Sequence, residues 1–291
     1  MQREITSIIA SVGASDGAGV KLRRSLGSRQ DLRLDPYLML DEFFSDDPND
    51  YIAGFPAHPH RGFETITYML DGHMRHEDSN GNRGDLGPGD AQWMTAASGI
   101  IHSEMPQQTA GRMRGFQIWL NLPAAEKMKP ASYRDIAAAQ IPEGSLAGVG
   151  TVRVIAGEFV NGAARIAGPI GGITTQPLFF DVRLNAGAAL EMPLPATHNA
   201  FVYVYDGETA VGTQRTVLPL RAAGILGAGS ALRLHAGNAG AKLLVLAGLP
   251  LHEPVVQYGP FVMNTREEIE TAIGDFQRGT FGSQRATAGA P

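Results

Sequence analysis

The chain has 291 residues, long enough for two domains of ordinary size, each with a core of its own. A net charge of −5 supplies no positive field for a phosphate backbone or an anionic membrane surface, so direct nucleic-acid binding is excluded as a first reading. Cysteine is absent, which removes disulfides, thiolate catalysis and zinc–thiolate sites; any metal must be held by imidazole and carboxylate.

The first stretch, MQREITSIIASVGASDG, carries charge early and shows no long apolar run before a small-residue cleavage site. No later segment approaches the ~18 apolar residues of a membrane span, and the expectation is a soluble, cytoplasmic protein, a monomer with no membrane contact. Lys21-Leu22-Arg23-Arg24 follows GASDGAG without the spacing of a phosphate loop and reads as a charged strand face beside a turn. Asp41-Glu42 resembles an acid/base pair, which would require both carboxylates in one cleft. FPAHPHRGFE, residues 55–64, then places two of the eight histidines one residue apart with a proline between them.

Beyond it, residues 65–70 read as a strand, and Asn80-Gly81 as a hairpin, since both residues tolerate the positive φ of a tight primed turn. Arg83-Gly84-Asp85 is then a hairpin tripeptide, and His73 and His76 are hydrogen-bonding residues flanking the turn. Residues 116–120, 201–205 and 242–246 are further short apolar strands; Phe55, Met69, Trp93, Met94 and Phe116 read as core, some of them lining a cavity mouth. Residues 131–139 read as a short helix in a connector, and residues 264–273 as a second, with Thr265 and Glu268 spaced as a capping box. Many short strands between 36 glycines and 18 prolines give an all-β chain of sandwich or barrel type.

An internal repeat divides it. GFETITYMLDG, ending at Gly72, resembles HNAFVYVYDG, ending at Gly207, with Tyr68 and Tyr203 at the same position, and Leu86-Gly87-Pro88-Gly89-Asp90 resembles Leu226-Gly227-Ala228-Gly229-Ser230. At the first offset His58 and His60 meet Pro193 and Pro195, so a metal site in the first copy would be missing from the second. The expected organisation is an N-terminal domain over 1–130, a connector over 131–145 and a C-terminal domain over 146–291.

Side chains at i and i+2 of a strand share a face, so His58 and His60 can converge inside a barrel. His102 and Glu104 repeat that spacing. Two facing strands would together offer three imidazoles and one carboxylate with open positions, a set suited to a divalent first-row metal that also binds substrate. A lone His-x-His pair is ordinarily surface decoration or a satisfied core feature; the second pair, the hairpin between them and the degenerate repeat argue for a site.

HPHRGFETITYMLDG, HED, GPGDAQWMTAASGIIHSEMP and HEPVVQYGPFVMNTREEI, in that order over nearly the whole chain, resemble the pirin family of the bicupin superfamily. The resemblance implies two stacked cupin barrels, the N-terminal one binding a single metal through His58, His60, His102 and Glu104. The metal is usually iron, as Fe(II); manganese, cobalt, nickel, copper or zinc suit the same ligands. Glu64 stands where general cupins take their carboxylate ligand and is kept as a substitute or supporting group. Pirin-like chains commonly carry Gly-Arg where this one has Ala97-Ser98, so the loop shape and any contact from that arginine do not carry over. The activity implied is that of a quercetin 2,3-dioxygenase. A flavonoid-like substrate is held as its 3-hydroxylate, Glu104 accepts the proton, and O2 opens the heterocycle with release of carbon monoxide. The family name also covers an alternative, a non-catalytic, redox-responsive regulator acting through a protein partner.

Overall fold

The computed structural model describes residues 1–282; residues 283–291, the end of the expected C-terminal domain, lie outside them. In the first half, one sheet runs in the order Ser132–Ile136, Ala91–Thr95, Phe63–Asp71, Met113–Asn121, Tyr37–Ser45, Val20–Arg24, Val12–Asp16. A second runs Phe55–His60, Ile100–Pro106, Met74–Asp78, Arg83–Leu86. Thr67 and Gln117 of the large sheet touch Glu104 of the small one, so the two close around a common interior. The second half curls a nine-stranded sheet around the long strands Asn199–Val211 and Ala231–Gly248. Among the described residues no helix is long and apolar enough to cross a membrane.

FETITYMLD is β-branched and aromatic because both its faces are buried. Thr67 and Met69 face the first barrel's interior, while Ile66 and Tyr68 join Phe201, Tyr203 and Tyr205 in one core between the halves. The repeated tyrosines cross that interface in opposite directions. Tyr68 donates to Asp181 Oδ2 at 2.9 Å, and Tyr203 to Glu42 Oε2 at 2.9 Å.

The repeat is real, but its fixed offset is not the structural one. Ala91–Thr95 pairs with the first tyrosine strand as Ala222–Leu226 pairs with the second, so residues 218–222, not 226–230, correspond to Leu86–Asp90. The same slip affects the histidines. His102 opposes His58 in the first half and Leu232 opposes Met192 in the second, so the inward positions are Met192, Leu194, Leu232 and Leu234 rather than the prolines. A shift of one residue exchanges the two faces of a strand. Apolar side chains fill the second barrel where the first has its polar cluster.

Three local expectations change. Residues 131–139 do not form a helix: Ser132–Ile136 adds to the edge of the first sheet beside Ala91–Thr95, and only Ala138–Gln140 makes a single 3-10 turn. Pairing with an exposed edge outweighs the propensity of a short alanine-rich segment. The hairpin at Asn80-Gly81 is not a two-residue primed turn; Gly81 alone takes positive φ, and Asp78 Oδ1 accepts the amides of Asn80 and Asn82 to shape a wider loop. The expected boundaries also need exceptions, since Ile5–Ala10 pairs with Ala222–Leu226 of the second half while connector residues serve the first. The capping box forms as read: Thr265 Oγ1 accepts from Glu268 N at 3.2 Å, and Glu268 Oε2 from Thr265 N at 3.0 Å, opening helix Arg266–Gln277.

The halves are also tied by Lys127, 1% exposed, whose ammonium donates to Gly62 O at 2.6 Å, Asn121 Oδ1 at 2.6 Å and Val262 O at 3.0 Å. Burial pulls its pKa down to about 8, while three acceptors match its three N–H donors. Lys127→Met strands those acceptors in an apolar setting, and stability should fall by about 3 kcal/mol, read from the urea midpoint at unchanged m. A midpoint equal to the parent's would show that water replaces the lysine without loss.

Candidate metal centre

Phe55–His60 pairs antiparallel with Ile100–Pro106, setting His58 opposite His102 and His60 opposite Ile100. The two histidine-bearing strands are therefore hydrogen-bonded neighbours in one sheet, not strands facing each other across the barrel. The register shifts between His102 and Glu104, which lies opposite Phe55, a bulge of the kind that re-aims side chains beside functional sites.

One potential ligand nitrogen from each of His58, His60 and His102 lies within 4.8 Å of the others, so the group could hold a metal ion. Ring centroids are 4.3 Å apart for His58–His102, 4.7 Å for His58–His60 and 4.9 Å for His60–His102. His58 Nδ1 sits 2.8 Å from Pro56 O, leaving Nε2 for the cluster. His60 Nδ1 and His102 Nε2 are buried with no hydrogen-bond partner among the described residues. Such orphans are costly unless something binds them. Burial, reinforced by the other imidazoles, pushes the pKa values of His60 and His102 well below the ordinary range, so both present neutral lone pairs. Three imidazoles near a carboxylate, without thiolate, fit a first-row divalent metal.

Glu104 is buried, and its carboxylate is not within that 4.8 Å group. Oε1 is 2.8 Å from Thr67 Oγ1, and Oε2 accepts from Gln117 Nε2 at 3.2 Å. It nevertheless lines the same cavity as His58 and His60, a space of about 640 Å³ whose other walls include Leu38, Phe43 and Trp119. His60 is fixed between Phe63 and Trp119, with ring centroids 5.1 and 5.2 Å away.

Glu64 is not a supporting ligand. The turn at Arg61-Gly62 breaks the parity with His60, and Glu64 lies on the face of its strand opposite Thr67, where Thr95 donates to its Oε1 at 2.7 Å. Asp41 and Glu42 cannot act as a pair, because consecutive strand residues face opposite ways. Asp41 meets Arg24 in the cavity wall at 2.7 and 2.8 Å, and Glu42 meets Arg114 and Tyr203 between the halves. Ala97 takes φ +43°, a left-handed conformation costing a non-glycine residue about 1–2 kcal/mol. Its carbonyl accepts from Gly62 N at 2.8 Å, and Ser98 O accepts from Arg61 Nε at 2.6 Å.

Two participants escaped sequence reasoning. Tyr133 belongs to a segment read as helix, and His76, read as a turn residue, lies buried behind His102. Its spacing of two from Asp78, matching the ligand pairs, was the available signal.

Comparison with known proteins places the chain in a family. The pirin family profile matches residues 19–120, and that of the pirin C-terminal cupin domain residues 179–282. A Pseudomonas aeruginosa protein provisionally named a quercetin 2,3-dioxygenase is 52% identical over 278 residues, covering 95% of this chain and 97% of that one. Human pirin is 40% identical, covering 98% of this chain and 96% of its own. The crystal structure of a quercetin 2,3-dioxygenase from Acinetobacter baumannii, 34% identical, matches with a TM-score of 0.86 over 97% of this chain and 99% of that one. Sequence and architecture thus agree over nearly the full length, and this bicupin chain belongs to the pirin family.

Proposed function

We propose that the protein is a metal-dependent dioxygenase that opens the heterocycle of flavonols, with the metal held by His58, His60 and His102 and with Glu104 as fourth ligand and proton acceptor. The observation that carries this reading is the open cavity of about 640 Å³ lined by His58, His60 and Glu104, within the range of roughly 300–1,000 Å³ typical of small-molecule sites. The second barrel, filled by Met192, Leu194, Leu232 and Leu234, shows what the same fold looks like when plugged. A purely regulatory metal protein has no need of the difference.

Bound there, a first-row metal such as iron would supply Lewis acidity toward the flavonol oxygens and the electron exchange that brings dioxygen into reaction. Leu38, Phe43 and Trp119 offer apolar walls to a flat aromatic ligand and exclude water. Glu104 takes the proton of the 3-hydroxyl at Oε1. The Thr67 hydroxyl has one proton and faces two acceptors, Glu104 Oε1 at 2.8 Å and Gln117 Oε1 at 2.6 Å. A proton on Glu104 Oε1 closes a ring in which Glu104 donates to Thr67, Thr67 to the Gln117 carbonyl, and Gln117 Nε2 to Glu104 Oε2. The site therefore holds the abstracted proton without rearrangement and can return it to product. Both oxygen atoms of O2 enter the ring-opened product, and the carbon bearing the former hydroxyl leaves with its oxygen as carbon monoxide, so no outside reductant is consumed.

Protein loaded in turn with iron, manganese, cobalt or nickel should consume quercetin and O2 in air and evolve one carbon monoxide per O2. Unchanged quercetin in every loaded sample, while an authentic quercetinase reacts alongside, would overturn the assignment.

A further inference from the structure

We propose that His76 is a positioning residue for the metal site, the middle member of a buried chain running from His102 through His76 to Asp78. It rests on the reading of His102 as a ligand, though not on flavonols as substrate.

The chain is visible in distances and burial. His102 Nδ1 lies 3.2 Å from His76 Nδ1, and His76 Nε2 lies 3.5 Å from Asp78 Oδ2. The side chains of His76 and Asp78 are 0% exposed, and His102 is 1% exposed. Strand pairing produces this arrangement, since Met74–Asp78 runs beside Ile100–Pro106 with Asp78 opposite His102 and His76 opposite Glu104. His76 and Asp78 share parity with the ligand pair next to them.

Proton counting gives the chain a direction. A neutral imidazole carries one N–H. His102 Nε2, buried without a partner, must present its lone pair if it binds a cation, so its proton sits on Nδ1. Between two facing Nδ1 atoms only one can donate, which makes His102 the donor and His76 the acceptor. The proton of His76 is then on Nε2, the side of Asp78. Metal-bound histidines commonly fix their tautomer by donating the second ring nitrogen to a carboxylate or carbonyl; here a second imidazole is inserted into that connection.

Both flanks of His76 are held. Asp78 is anchored by the loop it shapes, accepting from Asn80 N at 2.9 Å, Asn82 N at 3.0 Å and Asn82 Nδ2 at 2.8 Å. Tyr133, brought in by the connector strand, stacks on the His76 ring at 4.7 Å between centroids and 28° between planes. Turn and connector thus converge on one ring that meets the back of His102, with ring centroids 5.0 Å apart. A histidine serving only its hairpin has no reason to aim Nδ1 at another histidine.

The test uses cobalt(II) affinity and the visible spectrum of the cobalt-loaded full chain, alongside thermal unfolding of the metal-free proteins. His76→Phe keeps a ring under Tyr133 but removes the acceptor, and cobalt affinity should fall about 10–100-fold with altered bands. His76→Asn places an amide oxygen near the Nδ1 position and should recover affinity to within about threefold, since it again fixes the His102 tautomer. Wild-type affinity and spectrum in both variants would overturn the proposal, as would equal losses in the two accompanied by equal destabilisation of the metal-free fold, the signature of packing alone. Failure of the wild type itself to bind cobalt would overturn the ligand reading, and the positioning role with it.

Discussion

His102→Ala is expected to release the metal, with affinity for cobalt(II) or nickel(II) falling by more than about 100-fold, or about 2.7 kcal/mol. Loss of a partner one layer behind a ligand already costs about 10–100-fold, so removing the ligand itself must cost more. The cluster has little redundancy: among the described residues the group that could hold a metal is His58, His60 and His102, so removing one imidazole leaves two beside the proposed ligand Glu104. His60→Ala should behave alike. His198→Ala is the control, since that ring lies in the second half between Thr197 and the Gln176 carbonyl, and metal content should not change. Protein is dialysed against a chelator and assayed for metal. Full retention by both His60→Ala and His102→Ala would place the metal elsewhere.

The residues of this cluster were legible because strand parity is a local property. His58 and His60 share a face wherever an extended segment runs through them, and so do His102 and Glu104. What local spacing cannot carry is the relation between segments. Residues 131–139 became a strand because an unpaired edge at Ala91–Thr95 lay within reach. The prolines matched to the histidines by a fixed offset proved to be the outward neighbours of Met192 and Leu194. His76 looked like turn chemistry because its partner stands 26 positions further along. Lys127 gave no local signal at all, since its acceptors come from three separate stretches of chain. The fold class depends on many short elements, any one of which can be misread; the site depends on a few exact contacts, and those beyond parity are tertiary.

Glu104→Gln should separate holding the metal from using it. Glutamine can face Thr67 and Gln117 much as the carboxyl does, so the wall keeps its shape, and the three imidazoles remain to bind the metal. The base is lost, and kcat should fall about 100-fold or more, kcat/KM falling in parallel because the interaction belongs to the proton-transfer step. A base that removes the 3-hydroxyl proton becomes dispensable once solution has removed it. The deficit should therefore narrow as pH rises through the flavonol's own ionisation, and narrow sooner for more acidic flavonols. A deficit constant across that range would leave Glu104 a ligand without a proton to move, while kcat within about threefold of the parent at neutral pH would remove it from the chemistry altogether.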